Sequence, residues 1–551
     1  MSRTLMRAGL CLLLLVIVPG LQAETWGGEP APDGQAPVPA SRLDSTADHR
    51  KFAELTAPLE TGPQVTRVCL KCHTEAARQV QESIHWTWDF RQPETGQRLG
   101  KRNIINNLCL MVPGNEPRCT SCHNGYGWDE PDYDLTLGEN VDCLSCHDTT
   151  GTYEKFPTGA GHPPLEDRTF QGQLIQAPDL NHVARNVGKT SRETCGSCHF
   201  EGGGGDAVKH GDLDSTLLDP PRSVDVHMSP EGGDFSCSTC HEFSGHRQEG
   251  SRYLLNVSPD AGISIPGREN ERPACESCHG HTPHDPKVHN KLNRHSEFIA
   301  CQTCHVPELA RGGRATKTLW DWSTAGRLDG EGRPVVETND EGRVTYHGNK
   351  GSMEWAEDYP PVYRWFNGNM RYTLPGEGID PSGIVDINTP EGAPGATGAR
   401  IWPFKIMAGR QPYDTQHRIL LPARLFGPEE DAFWTGYDWD QALAAGVEAA
   451  RGAGHEDLRY SGEYDFVDTR MYWPVNHMVA PAEGSLGCAQ CHAQDARLEG
   501  LPGVYIPGRD RHPWIETVGW WAVGGVFVLV LLHGGLRYVL YRRERRAIWG
   551  R

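Results

Sequence analysis

Five residues recur eight times along this chain of 551, as Cys-x-x-Cys-His. The copies are Cys69, Cys72 and His73; Cys119, Cys122 and His123; Cys143, Cys146 and His147; Cys195, Cys198 and His199; Cys237, Cys240 and His241; Cys275, Cys278 and His279; Cys301, Cys304 and His305; and Cys488, Cys491 and His492. Any fold must be built around this pattern, because each copy brings two thiols and an imidazole to one turn of backbone. Two thiols three residues apart reach the two vinyl groups of one porphyrin, and the next residue, His, turns onto the iron. The pattern therefore reads as c-type haem attachment. A disulfide framework gives no reason for a His after every second Cys. Zinc sites of the Cys2His2 kind need a different arrangement of pairs and histidines. Eight covalently attached haems are the expected cofactor set.

The rest of the chain fits that expectation. The hydrophobic fraction is 37%, low for this length, while Gly (63) and Pro (40) are abundant. Flat haem faces buried by the chain replace a conventional core. The expected fold is mainly α with long irregular loops, a multihaem cytochrome c architecture plus one C-terminal transmembrane helix. The formal charge of −19 argues against a nucleic-acid partner, which needs a basic face.

Residues 1–23 read as a signal peptide: Arg3 and Arg7, an apolar run from Leu10 to Val18, and a cleavage position after Ala23. Residues 24–48 are rich in Pro and Ala and form a tether. The octahaem domain covers 49–512. Residues 513–541 are the membrane anchor. Its apolar core, Val518 to Leu536, would span about 28 Å as a helix, enough for the hydrocarbon layer. Residues 542–551 are a basic tail, which the positive-inside rule places in the cytoplasm. The expected location is the inner membrane with the haem domain facing the periplasm. His533 lies within the anchor, either as an intramembrane functional residue or as an interfacial one.

Low-spin haems that carry electrons usually have two axial protein ligands. Seventeen histidines lie outside the motifs. Those taken as second ligands are His85, His162, His182, His227, His246, His295 and His477. Residues 306–487 hold no Cys and are rich in aromatics, read as packing against haem faces or as a wall of the substrate cavity. With the signal and motif cysteines set aside, Cys109 is the one thiol left. An odd cysteine in an exported chain is a reactive thiol, an intermolecular link or a buried inert group.

The stretches "GPQVTRVCLKCHTEAA", "IHWTW", "NNLC", "EPRCTSCHNGYGW", "VDCLSCHDTTGTY", "CGSCHFEGGGGDAVKHGDLD", "ACQTCHVPELARGG", "LWDWSTAG" and "WPVNHMVAP" resemble the octahaem tetrathionate reductase family of c-type cytochromes, from about residue 50 to about 500. The C-terminal span lies beyond that match and suggests a membrane-anchored branch. The resemblance implies an active site at the second haem, with Lys209 as an axial ligand of its iron. It implies that Asp206 is an acid at the site, and that Asn106 and Cys109 line its pocket. The other seven haems would be bis-His relays.

The implied activity is reduction of tetrathionate, with nitrite or hydroxylamine as further substrates. The implied partners are a small inorganic sulfur or nitrogen oxyanion and an electron donor, either a quinol-oxidising membrane protein or a cytochrome. Calcium beside the site is a further expectation, without an identifiable ligand set. The rival readings are a hydroxylamine oxidoreductase-like oxidation, which lacks its tyrosine segment here, and a non-catalytic membrane-anchored conduit.

Overall fold

The computed structural model describes residues 47–170, 172–255 and 273–550. The expected signal peptide and all but the end of the tether lie outside the described residues. The largest departure from the mainly α expectation is in the cysteine-free stretch. It forms a nine-stranded sheet: β1 (Thr316–Asp321), β2 (Val336–Thr338), β3 (Val344–His347), β4 (Gly351–Ala356), β5 (Val362–Phe366), β6 (Val385–Asp386), β7 (Arg400–Asp414), β8 (Ile419–Leu420) and β9 (Tyr464–Pro474). The order across it is β6-β9-β7-β1-β4-β3-β2, with β5 and β8 also pairing with β7. Strands β7 and β9 run antiparallel from Phe404 opposite Pro474 to Asp414 opposite Tyr464. Strands β7 and β1 run parallel.

The physical reason is in the composition. Trp, Tyr, Phe, Val, Ile and Thr crowd these segments, and such side chains fit a pleated, half-buried surface better than a helix. The β7 sequence "IWPFKIMA" is apolar on both faces, as expected of a central strand covered on both sides. Trp320, Phe404, Met407, Tyr472 and Trp473 of the sheet, and Trp322 in the turn after β1, share one core cluster with Ile104, Ile105, Leu108, Leu110 and Met111. The sheet thereby becomes the platform on which the segment carrying Cys109 is laid.

Around the motifs the helices are short, because each motif needs only a turn or two. Helix α1 (Gly62–Cys69) is capped by the Thr61 side chain on Gln64 N and carries Pro63 in its first turn. Helix α2 (Arg192–His199) opens on a reciprocal capping box between Ser191 and Thr194. Helix α3 (Pro286–His295) starts behind the Asp285 cap. Helix α4 (Trp439–Gly452) buries Trp439, Ala442, Leu443, Gly446, Val447 and Ala450, an apolar stripe at helical spacing. Helix α5 (Pro513–Trp549) is one unbroken helix of 37 residues. It covers the expected anchor and most of the basic tail, so the tail is helical rather than a separate segment. None of its residues is buried, and it is long and apolar enough to cross a membrane.

Candidate haem-binding and active site

Two imidazoles bound through Nε2 on opposite sides of one iron would have ring centres about 6.3 Å apart, given metal–nitrogen bonds of about 2.0–2.1 Å. Seven motif histidines face a second histidine at this separation. The pairs are His73 with His49 at 6.3 Å, His147 with His246 at 6.4 Å, His199 with His85 at 6.1 Å and His241 with His477 at 6.3 Å. The remaining three are His279 with His227 at 6.0 Å, His305 with His284 at 6.3 Å and His492 with His295 at 6.1 Å. Such gaps are the width of an iron with its two bonds, and they fit the haem that the motifs require.

The hydrogen bonds agree. A metal-ligating His usually donates its other ring N–H to an oxygen, which fixes tautomer and orientation. Nδ1 of His147 donates to Gly188 O (2.7 Å), that of His241 to Glu249 O (2.8 Å) and that of His246 to Gln79 Oε1 (2.8 Å). Nδ1 of His284 bonds Asn293 Oδ1 (3.2 Å), that of His477 Asp212 Oδ2 (3.3 Å) and that of His492 Pro507 O (3.1 Å). Each arrangement leaves Nε2 free to face the gap. At His477 burial disfavours the charged ring, yet the Asp212 carboxylate outweighs it and raises the pKa.

Thiols of different motifs meet in a definite order. Cys69 lies against Cys143, and Cys146 lies near Cys195. Cys195 in turn lies against Cys237, Cys240 near Cys275, Cys275 against Cys301, and Cys304 near Cys488 and Cys491. The motifs thus run first, third, fourth, fifth, sixth, seventh, eighth. The second motif joins this line from the side, because Cys122 lies against Cys198 of the fourth.

The second motif differs in every respect. His123 is fully buried. Its Nε2, the atom that would face an iron, donates to Trp86 O at 2.8 Å. Trp86, Trp88, Trp128 and Tyr133 pack around the ring, and Nδ1 has no partner. Burial, opposed by the Trp86 carbonyl and helped by Lys155 and Lys101, pushes its pKa down to about 3. Beside Cys122 stands an amine instead. Lys209 Nζ sits 4.9 Å from the centre of the Trp473 ring, and Arg252 shares that ring at 5.0 Å. Burial, with Arg252 and Lys101 nearby, holds the Lys209 amine well below its usual pKa. A ligating amine must be unprotonated, so these surroundings suit a metal ligand.

The sheet positions Lys209. Lys405 and Trp473 are directly opposite on β7 and β9, so their side chains share one face. Lys405 Nζ donates to Val208 O (3.0 Å), to Lys209 O (3.1 Å) and to Thr316 Oγ1. The single Thr316 Oγ1–H lies between Ala207 O (2.6 Å) and His210 O (2.8 Å) and bonds to that pair. Gly203, at φ +87°, closes the same loop onto Leu108, where a Cβ would come within 3.0 Å of Leu108 Cδ1. The Lys209 loop and the Cys109 loop therefore touch.

Asn106 shapes the Cys109 loop. Its Oδ1 accepts from Leu108 N (2.9 Å) and Cys109 N (3.0 Å), while Nδ2 donates to Leu110 O (2.8 Å). Its amide is thus occupied in holding the turn. Cys109 lies close to Cys119 of the second motif and to Lys317 and Lys350. Lys317 Nζ lies 2.8 Å from Met353 Sδ and 3.8 Å from the centre of the Trp320 ring. Burial first, then Lys350, brings the Lys317 amine down to about 7. Lys101 Nζ donates to Cys119 O at 3.1 Å and covers the Trp88 ring. A further buried cation, Lys155, pairs with Asp142 at 3.0 Å and donates to His123 O. Amino groups from remote parts of an acidic chain thus gather around the second motif, which favours an anion there.

The structure brings together Lys209, Cys109, Asn106 and the second motif, and it pairs His85, His227, His246, His295 and His477 with motif histidines. It does not do so for two of the expected second ligands. His162 stacks on Tyr126. His182 is exposed, its side chain beside Asn186 of the same helical turn. Their places are taken by His49 and His284. His49 begins the expected haem domain, and His284 is one of five histidines between 279 and 295, so no local signal singled out either. His123, expected on the iron, is spent on Trp86. Asp206 is bound on both oxygens: Oδ1 accepts from Ser215 N (2.9 Å), and Oδ2 accepts from Ser215 Oγ (2.6 Å) and pairs with Arg314 (3.2 Å). Sequence reading missed Lys405, Thr316, Lys317, Lys101, Arg252 and Trp473, which come to the site from remote parts of the chain. Among the described residues, no group of three or more His, Cys, Asp or Glu is arranged to hold a calcium ion.

Residues 317–495 match the family model for bacterial cytochrome c. With the attachment motifs and paired histidines, this defines the chain as a multihaem c-type cytochrome. It is also similar to the solved structure of octahaem cytochrome c from Shewanella oneidensis, with 38% identity, a TM-score of 0.71, and coverage of 83% of this chain and 95% of that one. The chain belongs to the octahaem cytochrome c family. No curated protein matches it.

Proposed function

We propose that this chain is a membrane-anchored reductase of a small sulfur oxyanion, tetrathionate before nitrite or hydroxylamine. Lys209 replaces His123 as the protein ligand of the second haem. The observation that carries this reading is the exception at His123: seven motif histidines face a partner, while the eighth is sealed in aromatics and an amine and a free thiol gather at its cysteines.

When bound, the haems would store and pass single electrons, and the one held by Cys119, Cys122 and Lys209 would supply the reducing centre for substrate. The chain's own residues do the rest. Arg252 and Lys101 attract the dianion. Lys405 and Thr316 fix the backbone that carries Lys209. The Cys109 thiolate, beside the Lys317 and Lys350 amines, attacks the central S–S bond of tetrathionate. One thiosulfate leaves and an adduct remains in which Cys109 Sγ is bonded to the outer sulfur of –S–SO3⁻. Two electrons then cleave the new S–S bond, releasing the second thiosulfate and restoring the thiolate.

The test uses the fully reduced full-length protein mixed with tetrathionate, nitrite or hydroxylamine, with haem oxidation followed by absorbance. Tetrathionate is expected to be the fastest acceptor, and Lys209→Met combined with Cys109→Ala is expected to abolish that advantage. Equal rates in wild type and double variant for every acceptor would sink the proposal.

A further inference from the structure

We infer that electrons reach this chain at the eighth motif, Cys488–His492, which stands at the membrane surface and receives them from a quinol-oxidising membrane protein. The inference deepens the anchored-reductase reading and rests on Pro513–Trp549 being the anchor.

Two ends of the motif line could serve, the first motif or the eighth. The path from the eighth motif to the membrane is short and stiff. Nδ1 of His492 bonds Pro507 O at 3.1 Å, and α5 starts at Pro513, six residues on. Six residues span at most about 20 Å even when fully extended. Gly508, at φ +94°, presses on the same histidine, for a Cβ there would come within 2.3 Å of His492 O. No larger residue fits without moving the two apart.

The intervening chain is folded rather than slack. Leu498, Leu501 and Ile506 are buried against Tyr363, Trp365, Ala399 and Ile401. Trp365 Nε1 donates to Pro502 O at 3.0 Å. Arg509 donates to three carbonyls, Leu498 O (2.7 Å), Leu501 O (2.9 Å) and Val504 O (2.6 Å), and Asp510 Oδ2 accepts from Ile506 N at 2.7 Å. A single arginine thus ties the loop after the eighth motif into a clamp four residues ahead of α5. The outer face is open: Cys488 is exposed, and Tyr505 is 64% exposed. At the other end, the first motif pairs with His49, and the chain that joins it to the anchor is the whole length of the haem domain.

The electron balance is simple. A quinol gives up two electrons and two protons at the partner. The two electrons pass singly to the eighth motif and along the line through the seventh, sixth, fifth and fourth to the second. The protons stay with the partner's side of the reaction.

Two measurements test this on the full-length chain, neither with a terminal acceptor present, so an error about tetrathionate leaves both readable. In the first, the protein is inserted into phosphatidylethanolamine–phosphatidylglycerol vesicles carrying a photoreactive head group. Labelled peptides are expected from 486–512. Failure to insert overturns the anchor and the port together; insertion with labels concentrated on 49–73 overturns the port alone. In the second, His295→Met and His49→Met identify, by difference, the paramagnetic resonance signals of the eighth and first motifs. Native membranes of the wild type are then given duroquinol and frozen at intervals. The eighth-motif signal is expected to disappear first, and any other order overturns the proposal.

Discussion

His147, paired with His246, and His123 show how one motif chemistry is put to two uses. His246 faces His147 across 6.4 Å, and its Nδ1 donates to Gln79, so Nε2 is left to point at the gap. His123 belongs to the same five-residue pattern as His147, yet it makes the opposite choice: Nε2 is taken by Trp86 O and Nδ1 is left bare. An unpartnered buried ring nitrogen costs about 1–3 kcal/mol. His85 carries the same cost at Nδ1, but at His123 it goes with an Nε2 turned away from any iron. The lesson is that the motif attaches the cofactor, while the residues packed around its histidine decide whether that histidine serves the iron.

The largest expected effect breaks this comparison directly. Lys209→Met is expected to lower tetrathionate turnover by roughly 100-fold or more, the scale of removing one preorganised group at a reacting centre. It should also change the resonance spectrum at one haem. His246→Met touches a paired site, and is expected to shift that haem's potential while costing turnover less than about tenfold. Similar losses from the two variants would mean that the second motif is one more relay.

A smaller effect separates sulfur from nitrogen chemistry at the same site. Cys109→Ala is expected to cost tetrathionate reduction roughly 10–100-fold, about 1.4–2.7 kcal/mol of barrier, because the S–S exchange route is lost. Nitrite and hydroxylamine have no S–S bond, so their rates should move less than about threefold on the same scale. Parallel losses for all three acceptors would make Cys109 a packing residue.

Much of the paired region was legible because its chemistry is local. Eight spacings of Cys-x-x-Cys-His are written in five letters each, and five of the expected second ligands stand opposite motif histidines. The sheet was not legible in the same way: the Trp, Tyr and Val content of 316–372 and 400–414 carries a strand signal, but the strands pair across long stretches of chain that no local pattern joins. The second site was harder still. Lys405 reaches Lys209 across 196 residues, and Trp322 Nε1 reaches Leu108 O across 214. No window of sequence holds both partners. What the local text could not reveal about His123 is that Trp86, Trp88 and Trp128 close on it from both sides along the chain.

Lys317 offers a graded test through pH. Its amine is held at about 7 in the folded chain, against 10.5 ordinarily, by burial and then by Lys350. Below about 7 it is a cation beside Cys109, and above that it is neutral. The KM for tetrathionate is therefore expected to rise by roughly tenfold, about 1.4 kcal/mol, as pH climbs through 7, and Lys317→Met should flatten that rise. Stability moves the other way. Between about 7 and 10.5 the unfolded chain holds a proton that the folded chain has lost, so stability increases with pH across that window. Lys317→Met should remove this slope too. A pH-dependent KM that survives in Lys317→Met would assign the titration elsewhere.

The smallest effect concerns Asp206, the expected acid of the site. Its Oδ1 and Oδ2 are taken by Ser215, and Arg314 completes the set at 3.2 Å, with the Arg314 side chain 53% exposed. A group so bound holds the loop from 206 to 215, with both of its oxygens already engaged. Asp206→Asn keeps one acceptor for Ser215 and loses a half-exposed ion pair worth about 0–1 kcal/mol. Turnover should therefore fall by no more than about fivefold, the rate equivalent of about 1 kcal/mol, with an unaltered pH profile. A proton donor would behave otherwise: its loss costs roughly 100-fold or more and removes a limb of the profile. Finding that larger loss would mean that Asp206 leaves Ser215 during turnover, and that the loop carrying Lys209 moves with it.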